Sequence, residues 1–172
     1  ATSFYEKFAL FISSRNSSRF IVHGRKMKDR LIEHCDVEGD KVDTMYVGSD
    51  FKRYEGSLSA HKEKFEEEEN TILFFGRIWK YKGLEYLIKS EPVISKEIPN
   101  IKIVIAGSGE DIKKYTKHIA NNTNFEIKNR YIEVREINIL FQKCSIVVLP
   151  YISASQSGVI PLSYSYGKPV IG

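Results

Sequence analysis

Three short stretches of this 172-residue sequence combine residue types that can hold an anion. The first is Gly76-Arg77-Ile78-Trp79-Lys80-Tyr81-Lys82-Gly83. Arg77 offers a planar fork of N–H donors and Lys82 a compact ammonium, and the pair suits a diphosphate. Gly76 and Gly83 would let the backbone turn tightly on either side. Two solvated loop cations would look the same. The second is Gly107-Ser108-Gly109-Glu110-Asp111. A lone Gly-x-Gly is a weak signal, and it also reads as a tight turn with Asp111 capping the next helix. The third is Ser153-Ala154-Ser155-Gln156-Ser157-Gly158-Val159. Small hydroxyl residues and a glycine ahead of a helix make an anion site, because first-turn N–H groups lack partners and the helix dipole favours negative charge. An ordinary serine N-cap shares that pattern.

Whether the three act together depends on the elements that carry them. Ile72 to Phe75 is an apolar run ended by Gly76, as a buried parallel strand would be. A helix-period pattern with Leu84, Leu87 and Ile88 on one face follows and is predicted to close near Pro92. Ile101 to Ala106 reads as a second strand and Asp111 to Ala120 as a lysine-rich amphipathic helix. A short strand at Phe125 to Ile127, a helix at Val134 to Lys143 and a strand at Ser145 to Leu149 come next. A helix from Gly158 to Tyr166 and a strand at Val170-Ile171 complete the pattern. Such alternation predicts βαβ units and a doubly wound parallel sheet. All three stretches then follow strands, and ligands of open α/β sheets bind at strand carboxyl ends.

The first part of the chain differs in texture. Phe4 to Ile12 reads as helix, Phe20 to Val22 as a strand, Lys26 to His34 as a basic amphipathic helix, and Lys41 to Val47 as strand-like. Residues 51–70, with Glu66-Glu67-Glu68-Glu69, read as a solvated acidic connector. The expected division is 1–50, an interdomain segment with a remnant of a preceding domain; 51–70, the connector; and 71–172, the α/β domain. The chain stops at Gly172 directly after a strand-like segment, as if cut from something longer.

Composition sets outer bounds. A hydrophobic fraction of 42% and a charged fraction of 28% are those of a globular protein. No apolar run approaches the ~20 residues of a membrane span, and no secretory signal is apparent. The net charge of +4 suits a small anionic ligand and is too mild and scattered to argue for nucleic acid. Cys35 and Cys144 lack neighbours at metal-ligand spacing, and Cys144 reads as a small buried hydrophobe in a reducing cytoplasm.

In order and spacing, ILFFGRIWKYKG (72–83), IKIVIAGSG (101–109), NRYIEVREINILFQKCSIVVLP (129–150) and SGVIPLSYSYGKPVIG (157–172) resemble glycosyltransferase family 4. These are retaining enzymes of the GT-B fold, with two Rossmann-like domains facing a cleft. The resemblance implies that the chain is the C-terminal, nucleotide-sugar-binding domain, transferring a hexose to a glycan or lipid-linked acceptor. Arg77 and Lys82 match the family's basic pair on the sugar diphosphate. Gly76, Gly107 and Gly109 would lie along the nucleotide, and the backbone at Tyr131 and Ile132 would meet the base. Ser157, Gly158 and Val159 would offer N–H groups to the phosphates. The family commonly carries two glutamates separated by seven residues in its last loop and helix. Here those positions fall on Ala154 and Leu162, or on Ser155 and Ser163 in the neighbouring register, leaving Gln156 and Ser157 as substitutes toward sugar or ribose. The resemblance further implies no metal or other cofactor, a missing N-terminal acceptor domain, and polysaccharide or lipopolysaccharide biosynthesis. It places the protein in the cytoplasm, with peripheral association at the inner membrane face within its reach. The basic helix from Arg25 to Arg30 could approach anionic lipids, or be a solvated face. His23 is misplaced for the family's catalytic histidine and reads as a helix-entry residue.

Two other classes compete. A non-catalytic nucleotide-binding regulatory or scaffold domain would explain the missing glutamates. A dinucleotide oxidoreductase is disfavoured, because no Gly-x-Gly-x-x-Gly follows any strand.

Overall fold

The computed structural model describes residues 12–13, 15–46, 64–116, 119, 122–154 and 156–172. The sequence readings for 4–11 and 47–63 lie outside them. The chain divides into two compact units, Ala1–Gly48 and Ser49–Gly172.

In the first unit, β1 (Phe20–Val22) and β2 (Val42–Thr44) pair in parallel across helix α1 (Arg25–Cys35). Met27, Leu31 and Ile32 lie on one stripe of α1 and pack onto the buried Val22, Val37 and Val42. Lys28 turns from the basic face to donate to the Val42 carbonyl at 2.7 Å. His23 Nδ1 lies 3.2 Å from the Met45 carbonyl, beyond the end of β2.

The second unit runs β3 (Thr71–Phe75), α2 (Leu84–Glu97), β4 (Lys102–Gly107), α3 (Lys113–Thr116), β5 (Phe125–Asn129), α4 (Val134–Lys143), β6 (Ile146–Val148), α5 (Val159–Ser165) and β7 (Val170–Ile171). Its five strands are all parallel in the order β5-β4-β3-β6-β7. This is the doubly wound, Rossmann-like sheet that the alternation predicts. The period of two is visible in the cores. Ile72, Phe74, Ile103 and Ile105 face α2 with Leu84, Leu87 and Ile88. Leu73, Val104 and Ala106 face the other way, onto Leu140 and Phe141 of α4 and Leu162 of α5. Phe74 and Phe141 are wholly buried, and each such side chain contributes about 1.5–3 kcal/mol of transfer free energy.

Three local expectations are corrected. Helix α2 does not close near Pro92 but continues to Glu97. Pro92 lies on the exposed side while Glu91 is buried, and Glu91 accepts hydrogen bonds from Asn122 and Asn124 at 3.0 and 2.7 Å. A mid-helix proline costs ~3 kcal/mol, and tertiary contacts on either side of it offset that. Of the predicted helix 111–120, the described helix is Lys113–Thr116; residues 117, 118 and 120 lie outside the described residues. Finally, the end of the acidic run, though largely exposed, is not merely a solvated connector. Glu68 pairs with Lys143 at 2.7 Å and Lys102 at 3.1 Å, and Glu67 pairs with the buried Lys168. A buried ammonium needs a counter-charge, and the run supplies it.

Candidate functional site

The sheet order reverses at β3. The chain moves outward through β4 and β5, then returns by α4 to place β6 on the other side of β3. At such a switch the loops leaving two neighbouring strands diverge and leave a crevice at their carboxyl ends. The loops after β3 and β6 carry the first and third candidate stretches. The Gly107–Gly109 turn follows β4, and Tyr131 and Ile132 follow β5. All the sequence-predicted residues therefore lie at one edge of the sheet.

The β3 and β4 loops are extensions of the sheet. Gly76 N–H donates to the Ala106 carbonyl, Ile78 N–H to Ser108 and Glu110 N–H to Ile78, at 3.0, 3.0 and 2.7 Å. Ile78 is fully buried while Arg77 and Trp79 on either side are exposed, so strand alternation turns the guanidinium outward. A Cβ on Gly107 would sit 1.7 Å from the Gly76 carbonyl oxygen, and one on Gly109 2.2 Å from that of Ile78. The glycine pair is thus required by the approach of two backbones. Asp111 accepts from the Lys113 N–H at 3.0 Å, so its side chain also caps the start of the next helix. Glu110 accepts from the Lys80 N–H at 3.3 Å and the Tyr115 hydroxyl at 3.2 Å. The Lys80 amide, followed by Tyr115 and Lys114, holds its carboxyl below the usual carboxylate range.

The β3 and β6 loops run side by side. Ile152 N–H donates to the Tyr81 carbonyl at 2.9 Å. Lys82 Nζ sits over the Tyr151 ring, 3.7 Å from its centroid. Gly83, at φ 67°, packs so closely on Pro150 that a Cβ would lie 1.7 Å from its carbonyl oxygen. The Tyr151 hydroxyl lies 2.9 Å from Ser157 Oγ, which also accepts from the Val159 N–H at 3.3 Å. Among the described residues, neither Arg77 nor Lys82 has a carboxylate within ion-pair distance.

Gly158 differs from the glycines just described. Its φ of −68° is open to any residue, and a Cβ there would meet nothing within 4 Å among the described residues. The fold places no demand for glycine at 158. Gln156 is exposed beside it. Tyr131 is 76% exposed, whereas the Ile132 side chain is 5% exposed in the core, leaving only its backbone for a ligand. Leu162 is core and Ser163 is fully buried, with its hydroxyl on the Val159 carbonyl at 2.7 Å. Ser155 lies outside the described residues. The residue missed by sequence reasoning is Tyr151, whose contact with Lys82 has no signal in local spacing.

Elsewhere, an apolar groove of about 760 Å³ between α2, β6 and β7 has Glu67 and Glu69 in its lining and no Lys or Arg, so it does not suit an anion. Burial pushes the Cys144 thiol up to about 11, as a small core hydrophobe requires. Among the described residues no three His, Cys, Asp or Glu gather as a metal site. No helix among them is long and apolar enough to cross a membrane.

The family described as Glycosyl transferases group 1 matches residues 69–172. The glycosyltransferase MJ1607 of Methanocaldococcus jannaschii is 28% identical over 94% of this chain and 43% of its own length. The chain spans less than half the length of the curated relatives it matches. A mutant of S. aureus TarM, in complex with Fondaparinux, alpha-GlcNAc-glycerol and UDP, superposes with a TM-score of 0.76 at 18% identity, over 99% of this chain and 32% of that one. WaaG, a glycosyltransferase involved in lipopolysaccharide biosynthesis, superposes with a TM-score of 0.72 at 16% identity, over 98% of this chain and 49% of that one.

Proposed function

We infer from one premise, that the chain belongs to the Glycosyl transferases group 1 family, that its larger unit binds the nucleotide diphosphate sugar donor of a glycosyl transfer. The observation that carries the reading is the pair Arg77 and Lys82. Both leave β3 at the switch point, and neither has a carboxylate partner among the described residues. Gly158 supports it, because an unneeded glycine facing open space leaves room for a ligand to approach the backbone.

In this reading Arg77 and Lys82 grip the diphosphate. Negative charge builds on it as the bond to the sugar breaks, so fixed cations stabilise the transition state more than the ground state. The N–H groups of Gly158 and Val159, with Ser157, face the phosphates. Gly76, Gly107 and Gly109 lie along the nucleotide, the backbone at Tyr131 and Ile132 meets the base, and Gln156 with Ser157 replaces the absent glutamate pair toward sugar or ribose. The transferred group is a hexose, moved with retention and without a metal. The acceptor is a glycan or lipid-linked sugar held by an N-terminal domain, in polysaccharide or lipopolysaccharide assembly at the cytoplasmic face of a membrane. The UDP bound by TarM and the pathway of WaaG are in line with this assignment.

Calorimetric titration with UDP, GDP, ADP, their sugar conjugates and NAD tests it. Binding of one diphosphate, tightened by one particular sugar, is the expected result; no binding to any would refute it. A second reading, a non-catalytic nucleotide-binding domain, is favoured by Leu162 and Ser163, which are buried where a ribose carboxylate is expected. It predicts nucleotide binding without sugar discrimination in the same titration.

A further inference from the structure

We propose that Tyr151 is a positioning residue for Lys82: its ring holds the ammonium at the carboxyl edge of β3, ready for the donor diphosphate. This rests on the donor-site reading above and adds to it a residue from a distant part of the chain.

Three consecutive contacts carry the inference. Residues 81, 82 and 83 lie against 152, 151 and 150 in turn. The first contact is a backbone hydrogen bond, Ile152 N–H to the Tyr81 carbonyl at 2.9 Å. The last is the close packing of Gly83 on the Pro150 carbonyl, which excludes any side chain at 83. Between them Lys82 Nζ rests 3.7 Å from the Tyr151 ring centroid, against 5.3 Å from the ring of its own neighbour Tyr81. The backbones on both sides are tied, so ring and ammonium face each other by construction.

The physical need is clear. Lysine has four rotatable side-chain bonds, and fixing them costs up to ~2 kcal/mol. Among the described residues no carboxylate holds Lys82. A carboxylate would also neutralise the charge that a diphosphate has to meet. An aromatic face attracts the ammonium without cancelling its charge and leaves its donors free on the far side. The ring therefore pre-organises the cation at no cost to its charge.

The test uses the 172-residue chain and the nucleoside diphosphate that it binds best among UDP, GDP and ADP. Tyr151→Leu removes the ring and is expected to weaken binding about two- to fivefold, the range of an exposed cation–π contact. Tyr151→Phe keeps the ring, loses only the hydroxyl, and is expected to restore most of that loss. In a Lys82→Met background, Tyr151→Leu is expected to add nothing. In the ligand-free protein, NMR of the Lys82 ε-methylene is expected to show an upfield ring-current shift that Tyr151→Phe keeps and Tyr151→Leu abolishes. Equal or tighter binding by Tyr151→Leu would overturn the proposal, as would the same loss in the Lys82→Met background. If the unaltered chain binds none of the three nucleotides, the donor site is refuted and the proposal falls with it. The shift then still reports separately whether ring and ammonium touch.

Discussion

The larger unit carries positive charge in two ways. Along one flank it is paired: Lys143, Glu68, Lys102, Glu126, Lys128, Glu136 and Arg130 alternate in sign, each within 3.4 Å of the next. At the carboxyl edge Arg77 and Lys82 have no carboxylate among the described residues, and Lys82 rests on a ring instead. A cation that the fold has already neutralised supports the fold. A cation left uncompensated at a switch point is available to an anion from outside. The same contrast separates the glycines, since Gly109 answers to a neighbouring backbone and Gly158 to nothing among the described residues.

The largest effect that would break this comparison is on binding. Arg77→Ala and Lys82→Ala are each expected to cost roughly 1.5–3 kcal/mol of nucleoside diphosphate affinity, the scale of a charged hydrogen bond. The melting temperature of Arg77→Ala should stay close to that of the unaltered chain, as for an exposed surface substitution. Unchanged affinity in both, read by calorimetry, would remove the distinction between edge and flank. Gly158→Val comes next. It fills the open space, so affinity is expected to fall by about tenfold, ~1.4 kcal/mol, again with little change in melting. A large drop in melting temperature would show that the fold needs that glycine after all.

The flank should behave in the opposite manner. Lys143, Arg130 and Lys128 are the leading causes that hold the carboxyls of Glu68, Glu136 and Glu126 below the usual range. A carboxylate with a depressed folded pKa supplies stability that is present above its unfolded value, about 4.3, and lost as pH falls through the folded one. The urea midpoint is therefore expected to fall between pH 5 and pH 3, and Glu126→Gln should flatten that fall. The converse holds for Lys102 and Lys128, each raised chiefly by Glu126. Their contribution is present below the ordinary lysine pKa and lost as pH rises through the raised one. The smallest effect is that of Glu126→Gln at neutral pH, about 0.2–1 kcal/mol of stability for a half-exposed pair. Nucleotide affinity should not move with it, and a change there would tie the flank to the site.

Much of the fold was legible because burial on both faces leaves a mark in composition. Ile72 to Phe75 and Ile103 to Ala106 are apolar on both parities, as only a sheet covered on two sides demands. Helix α4 matches its predicted span, residue for residue, since its apolar stripe and its flanking polar residues agree. Pro92 misled because local propensity speaks against a helix that Glu91 and its two asparagines hold together across the fold. The acidic run misled because a charge looks solvated until its partner is known, and Lys168 and Lys143 lie far along the chain.

The sequence by itself determined the alternation of strands and helices, the cations and glycines after the strands, and the family resemblance. Each is written in local residue types and spacing, which short-range physics reads directly. Only the tertiary structure decided which charges are paired, which glycines the backbone requires, and that Tyr151 lies beneath Lys82. These depend on strand order and on loops that meet across the sheet. No local pattern encodes them, because the groups in contact are distant in the chain and are brought together only when the parallel sheet closes around β3.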